Sequence, residues 1–194
     1  VDGSTVALIG SACNYGYGTV DPMAALSDLA LDRGVGLHVD ACLGGFLLPF
    51  GQRLGIDIPV FDFRLPGVTT ISADTHKYGY ALKGTSVLSF RDKALRNAQY
   101  FFLTGWSGGK YCSPGMEGSR SGGLLAATWA GMLKLGRGGY LRYAQQIFET
   151  SAAFTARAEW NALRPRLTRP AEVAIVAKGS DLLLCLLGRD SEFA

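Results

Sequence analysis

Two short apolar runs limit what this chain can fold into. Thr5-Val6-Ala7-Leu8-Ile9-Gly10 and Gly36-Leu37-His38-Val39-Asp40-Ala41 are each nearly continuous in apolar character, with one helical pattern between them. Continuous rather than alternating hydrophobicity predicts strands buried on both faces, the pattern of a parallel sheet. Between the runs, Asp21 is placed to cap a helix and Pro22 to open it, with Met23, Leu26, Leu29 and Leu31 as its apolar stripe and Gly34 as its stop. Strand, helix and strand in this spacing make a βαβ unit. Functional loops in such units lie at the carboxyl ends of the strands, where Tyr15 and Asp40 fall.

The rest of the chain extends the same plan. Phe61 to Pro66 reads as a turn-bounded segment, and Val68 to Ala73 and Thr85 to Phe90 as strands. Asp92 starts a short helix through Tyr100. Phe101 to Gly123 is a long stretch rich in Gly and Pro, expected to be irregular and functional. Leu124 to Leu135 and Tyr140 to Ala158 read as helices, the second leading out of the first domain. Val173 to Val176 and Leu182 to Leu187 read as short strands. The expected division is a large domain over 1–150 and the start of a smaller one over 151–194.

Composition narrows the function. Hydrophobic residues make up 48% and charged residues 18%, the balance of a folded globular chain. The net charge is only +3 and no run of Lys or Arg occurs, which argues against a nucleic-acid partner. The four cysteines form no C-x-x-C pair and the two histidines stand at no zinc spacing with them, so no metal site is expected. Scattered cysteines suit a reducing, cytoplasmic compartment. No apolar stretch approaches the roughly 20 residues of a membrane helix. The chain begins at Val1, almost directly on a strand, and reads as a piece of a longer protein that could itself carry a membrane anchor, at the endoplasmic reticulum if eukaryotic.

Two clusters carry chemistry. His38 and Asp40 are two apart on one strand and therefore share a face. A carboxylate ending an apolar strand needs donors or a cation to meet it. It either caps the turn that Gly44-Gly45 announce, or holds a pyridine nitrogen protonated so that the ring can act as an electron sink. The second cluster is Ser72-Ala73-Asp74-Thr75-His76-Lys77-Tyr78-Gly79, in a loop between strands. Lys77 is either an exposed loop lysine or a Schiff-base amine whose pKa the loop lowers. Trp106 and Tyr111 are either core aromatics or part of a site.

The stretches H-V-D-A-C-L-G-G-F and S-A-D-T-H-K-Y-G-Y-A-L-K-G-T-S resemble the sphingosine-1-phosphate lyases of the PLP-dependent (group II) decarboxylase family. Asn14-Tyr15, Phe61 to Arg64, Trp106 to Tyr111 and Gly118 to Arg120 extend the resemblance over roughly Val1 to Ala158. It implies a fold-type I α/β large domain, mainly parallel, with helices on both faces. It implies that Lys77 carries pyridoxal 5'-phosphate (PLP), that Asp40 pairs with the ring nitrogen with His38 behind it, that Ala41 lies against the ring, and that His76 helps hold the cofactor phosphate. Lys83 would contact a substrate phosphate and Tyr15 would assist proton transfer. The stretch from Trp106 to Gly123 would reach a partner's active site in a homodimer. The implied activity is cleavage of a phosphorylated sphingoid base to a long-chain aldehyde and phosphoethanolamine. The alternatives are an amino-acid decarboxylase of the same family and an inactive truncated fragment. The family's usual N-Y-P-H-G reads Asn14-Tyr15-Gly16-Tyr17-Gly18 here, and its usual prolines are replaced by Leu82 and Ser121. Its phosphate cradle and ring-stacking His would fall before Val1.

Overall fold

The computed structural model describes residues 1–156 and the strands Val173–Lys178 and Asp181–Leu186. Four strands, β1 (Ala7–Ser11), β2 (Gly36–Asp40), β3 (Val68–Asp74) and β4 (Ser86–Phe90), lie side by side in that order. The first three run parallel and β4 turns back antiparallel to β3. Helix α1 (Met23–Arg33) carries the chain from β1 to β2, as a βαβ unit requires. A 3-10 turn (Gly44–Phe46) and helix α2 (Leu48–Arg53) carry it from β2 towards β3.

The register decides which residues share a face. Leu8 and Gly10 stand beside Leu37 and Val39, and Ile9 and Ser11 beside His38 and Asp40. Helix α1 covers the first of these faces: a Cβ on Gly10 would lie 2.8 Å from both Met23 and Leu26. The 3-10 turn presses on the same face, where a Cβ on Gly45 would lie 2.5 Å from that of Ala73. The core is therefore Met23, Ala30, Leu37, Val39, Ala41, Leu48, Phe61 and Val68, all buried. Each Leu, Val, Phe or Met so buried contributes roughly 1.5–3 kcal/mol. The opposite face carries His38, Asp40, Thr70 and Ser72, which pair across β2 and β3.

Three expectations change. β1 is not buried on both faces: Ile9 is 70% exposed, because β1 ends the sheet among the described residues and α1 covers only its other face. Asp21 does not cap α1. Its carboxylate accepts a hydrogen bond from Ser11 N at 2.7 Å, tying the loop back to β1, and Pro22 takes the cap position with no side-chain hydrogen bond. Leu31 turns outward, while Gly34 ends the helix in the left-handed conformation as expected.

Phe101 to Gly123 is not wholly irregular. It opens as a hairpin of β5 (Phe101–Trp106) and β6 (Gly109–Ser113), where Gly109 supplies the positive φ of the turn. Asp92 does cap its helix, α3 (Lys93–Ala98), accepting from Leu95 N at 2.8 Å. The two predicted long helices form one element, α4 (Gly122–Thr155), broken at Gly136 where φ is 55° and ψ −177°. The tail forms a hairpin of β7 (Val173–Lys178) and β8 (Asp181–Leu186). Leu187 and the expected end of the second helix at Ala158 lie outside the described residues. Among the described residues no helix is long and apolar enough to cross a membrane.

Candidate active site

Asp40 closes β2 at the carboxyl edge of the sheet. The chain turns immediately after it, and that turn brings Cys42 N to Asp40 Oδ1 at 3.0 Å. A second donor comes from the neighbouring strand, Ser72 Oγ at 3.4 Å. Ser72 also lies 3.2 Å from His38 Nε2, and His38 Nδ1 lies 2.7 Å from Thr70 Oγ1. A carboxylate only accepts, so the order of donors follows: Thr70 to His38, His38 Nε2–H to Ser72, Ser72 to Asp40. Burial holds the His38 imidazole below its usual pKa, against the pull of the Asp40 carboxylate, which keeps the ring neutral and the chain of donors intact near pH 7.

Lys77 lies in the loop that follows β3. Its Nζ stands 3.0 Å from Asp74 Oδ2, and the two side chains are about one quarter exposed or less. Burial acts to lower the Lys77 pKa, but its interactions with the Cys42 thiol and the Asp74 carboxylate outweigh that and hold it above the usual lysine value. The lowered pKa expected from the sequence is thus reversed, because the Cys42 thiol and the Asp74 carboxylate at the end of β3 both meet the amine. Burial raises the Asp74 carboxyl, but Ser86 and Lys77 bring it below the ordinary range. Ser86 Oγ donates to Asp74 Oδ1 at 2.7 Å.

Cys42 joins the two clusters. Its backbone N–H reaches Asp40, its carbonyl accepts from Asp74 N at 3.2 Å, and its thiol interacts with both Lys77 and Asp40. Burial pushes the Cys42 thiol up, and Cys13 likewise. Neither cysteine was singled out from the sequence. The signal for Cys42 was available, since it follows Asp40 by two. Ala41, expected against a ligand ring, is instead wholly buried with Leu37 and Val39 on the covered face. Side chains alternate along the strand, so the face of Asp40 continues in Cys42 rather than Ala41. Ser72 and Asp74 fall within the second cluster without a role of their own and Thr70 falls outside it, and only the strand register brings Ser72 and Thr70 beside β2.

The other candidates are more peripheral. His76 is half-buried, with Nδ1 donating to the Thr85 carbonyl at 3.3 Å and Nε2 3.8 Å from Asp74. Lys83 is exposed in the turn before β4. Tyr15 is 81% exposed in a loop that Asn14 closes through Tyr17 N and Thr19 Oγ1. Trp106 and Tyr111 are exposed on the β5–β6 hairpin and pack edge to face, so they are not core. Among the described residues no group of His, Cys, Asp and Glu is arranged to hold a metal.

Residues 4–168 match the family described as the pyridoxal-dependent decarboxylase conserved domain. The sphingosine-1-phosphate lyase of Dictyostelium discoideum is 52% identical over 151 residues, 78% of this chain and 29% of that protein. The L-aspartate/L-glutamate decarboxylase of Pyrococcus horikoshii is 39% identical over 154 residues, 79% of this chain and 40% of that protein. Among solved structures, the sphingosine-1-phosphate lyase of Burkholderia pseudomallei superimposes with a TM-score of 0.79 at 57% identity, over 92% of this chain and 39% of that one. The chain thus spans less than a third of the Dictyostelium relative's length.

Proposed function

The chain belongs to the pyridoxal-dependent decarboxylase family, and from that premise we propose that it forms the cofactor-lysine part of a lyase acting on a phosphorylated sphingoid base. The observation that carries this reading is the junction at Cys42, which sets the Asp40 carboxylate at the end of β2 and the Lys77 amine in the loop after β3 at one edge of the sheet. An amine and a carboxylate so placed suit a group with an aldehyde at one end and a basic ring nitrogen at the other. PLP, when bound, supplies a ring that accepts the electron pair of a breaking bond.

The protein's own residues then divide the work. Lys77 Nζ would hold the cofactor, and Asp74 and Cys42 stabilise the proton that this nitrogen carries. Asp40 would hold the ring nitrogen, and the Ser72–His38–Thr70 chain fixes the orientation of its carboxylate. His76 is the candidate for the cofactor phosphate. Lys83, exposed and cationic, is the candidate for the substrate phosphate. Tyr15 Oη, exposed in its loop, is the candidate for moving the proton of the C3 hydroxyl. Cleavage of the C2–C3 bond gives a long-chain aldehyde and phosphoethanolamine, with no loss of carbon dioxide.

The β5–β6 hairpin and the turn after it, exposed through Phe101, Phe102, Trp106 and Met116, would meet a second copy of the protein in a homodimer. The three free cysteines among the described residues suit a reducing, cytoplasm-facing site.

The test is to supply the full-length protein with PLP and a phosphorylated sphingoid base. Aldehyde and phosphoethanolamine are expected in equal amounts, and Lys83→Ala should raise KM about tenfold, or about 1.4 kcal/mol of a charge-assisted contact. The resemblance to the Pyrococcus decarboxylase makes amino-acid decarboxylation the second reading. Carbon dioxide release from aspartate or glutamate, without aldehyde from the phosphorylated base, would establish it in place of the first.

A further inference from the structure

The loop that carries Lys77 is short, tightly turned and has little helix or strand of its own. Three backbone hydrogen bonds close it: Lys77 N to the Asp74 carbonyl, Tyr80 N to the Lys77 carbonyl, and Ala81 N to the Thr75 carbonyl. Tyr80 takes a positive φ of 57°, and a Cβ on Gly79 would lie 2.4 Å from the Thr75 carbonyl oxygen. A backbone folded this closely needs support from outside, and two of its external supports lead to α4.

The first support is at Gly79. The Tyr140 hydroxyl donates to the Gly79 carbonyl at 2.9 Å, and the bond is buried. The Tyr140 ring stacks on Phe50 at 5.4 Å and sits near Phe46 and Tyr80, so its position is set by packing rather than by the hydrogen bond alone. The second support is at the other end of the loop. The hydroxyls of Thr75, Thr85 and Thr128 form a line, with Thr85 Oγ1 3.1 Å from Thr128 Oγ1 and Thr75 Oγ1 2.8 Å from the Thr85 carbonyl. Thr75 and Thr128 are buried. Thr128 and Tyr140 lie on opposite sides of the break at Gly136. One straight helix would fix the angle between them, and the break allows each half to meet its own end of the loop.

We propose that Tyr140 and Thr128 are positioning residues for Lys77, gripping its loop at two points across the Gly136 break. Neither touches the amine. Tyr140 holds the Gly79 carbonyl directly and Thr128 holds Thr75 through Thr85, and so they set the distance from Nζ to Asp74 and Cys42. This inference rests on the reading of Lys77 as the cofactor lysine, but the grip itself does not need a cofactor to be measured.

The variants are Tyr140→Phe, which keeps the ring and removes the donor, and Thr128→Val, which keeps the shape and removes the hydroxyl. Thr128→Ser restores it. In the full-length protein without PLP, amide exchange over 75–81 should quicken about tenfold in both variants, with the β1–β2 amides unchanged, and should return towards normal in Thr128→Ser. With PLP, the pH midpoint of the visible band should shift, and kcat should fall more than KM rises. Exchange that is unchanged over 75–81, or that quickens equally across the sheet, would overturn the proposal. If Tyr140→Phe does not fold, the Thr128 pair decides alone. A wild-type protein that takes up no PLP would defeat the functional reading while leaving the exchange result to judge the grip.

Discussion

At the scale of single residues, Lys77 and Asp74 set the pH behaviour of the site. Lys77 is held above the ordinary lysine value of 10.5 and Asp74 below the ordinary aspartate value of 3.8. A raised lysine stabilises the fold fully below 10.5 and loses that contribution as pH rises through its folded value. A depressed carboxyl stabilises above 3.8 and loses its contribution as pH falls through its own. The pair is therefore at full strength across neutral pH, which keeps Lys77 charged and slow to react with an aldehyde. The rate of PLP capture by the cofactor-free protein should rise steadily from pH 7 to 10, about tenfold per unit, as the neutral amine appears. Stopped-flow absorbance checks this, and a rate flat between pH 7 and 9 would contradict the raised pKa. Asp40→Ala should retain some cofactor but lose about a hundredfold or more in turnover, about 3 kcal/mol of barrier. Near-normal turnover would remove Asp40 from the role proposed for it.

At the scale of elements, the site depends on how closely the turn after β2 can approach the end of β1. Gly44 begins the 3-10 turn, and a Cβ there would lie 2.2 Å from the Ala12 carbonyl oxygen. The obstacle is backbone, so it cannot swing aside as a side chain would. Gly44→Ala should destabilise the protein by about 1–3 kcal/mol and displace Cys42 from Asp40. Urea unfolding measures the first effect and thiol-labelling rate at Cys42 the second. A stability unchanged within error would show that the turn can open without cost. Gly131 is a useful control, since nothing lies within 4 Å of a Cβ there and its backbone is helical.

At the scale of the whole molecule, the covered and uncovered faces of the sheet differ in kind. The covered face is apolar and close-packed under α1 and the 3-10 turn. The other presents His38, Asp40, Thr70 and Ser72 to whatever binds there. The β5–β6 hairpin adds exposed aromatic surface of the sort that marks interaction sites. If a second copy covers it, replacing Phe102 and Trp106 with Ser should shift the full-length protein from dimer to monomer in light scattering while leaving the far-ultraviolet spectrum intact. A dimer that survives the change would put the interface elsewhere.

The sequence by itself determined the βαβ core, the strands from Val68 and near Thr85, the helix that Asp92 caps, the break near Gly136 and the pairing of Asp40 with Lys77 as candidates. These rest on local patterns: apolar runs, caps, glycines and a motif contiguous in the chain. Tertiary structure decided the rest. It left β1 at the edge of the sheet among the described residues, turned Asp21 to Ser11 instead of its own helix, and built a hairpin from Phe101 to Ser113. It also put Ala41 in the core and Cys42 in the site, placed Ser72 and Thr70 behind Asp40, and raised the Lys77 pKa that its loop position alone suggested would fall. The physical reason is common to these cases. Burial, register and electrostatic partners depend on which residues meet across strands and loops, and a local pattern does not specify who the partner is.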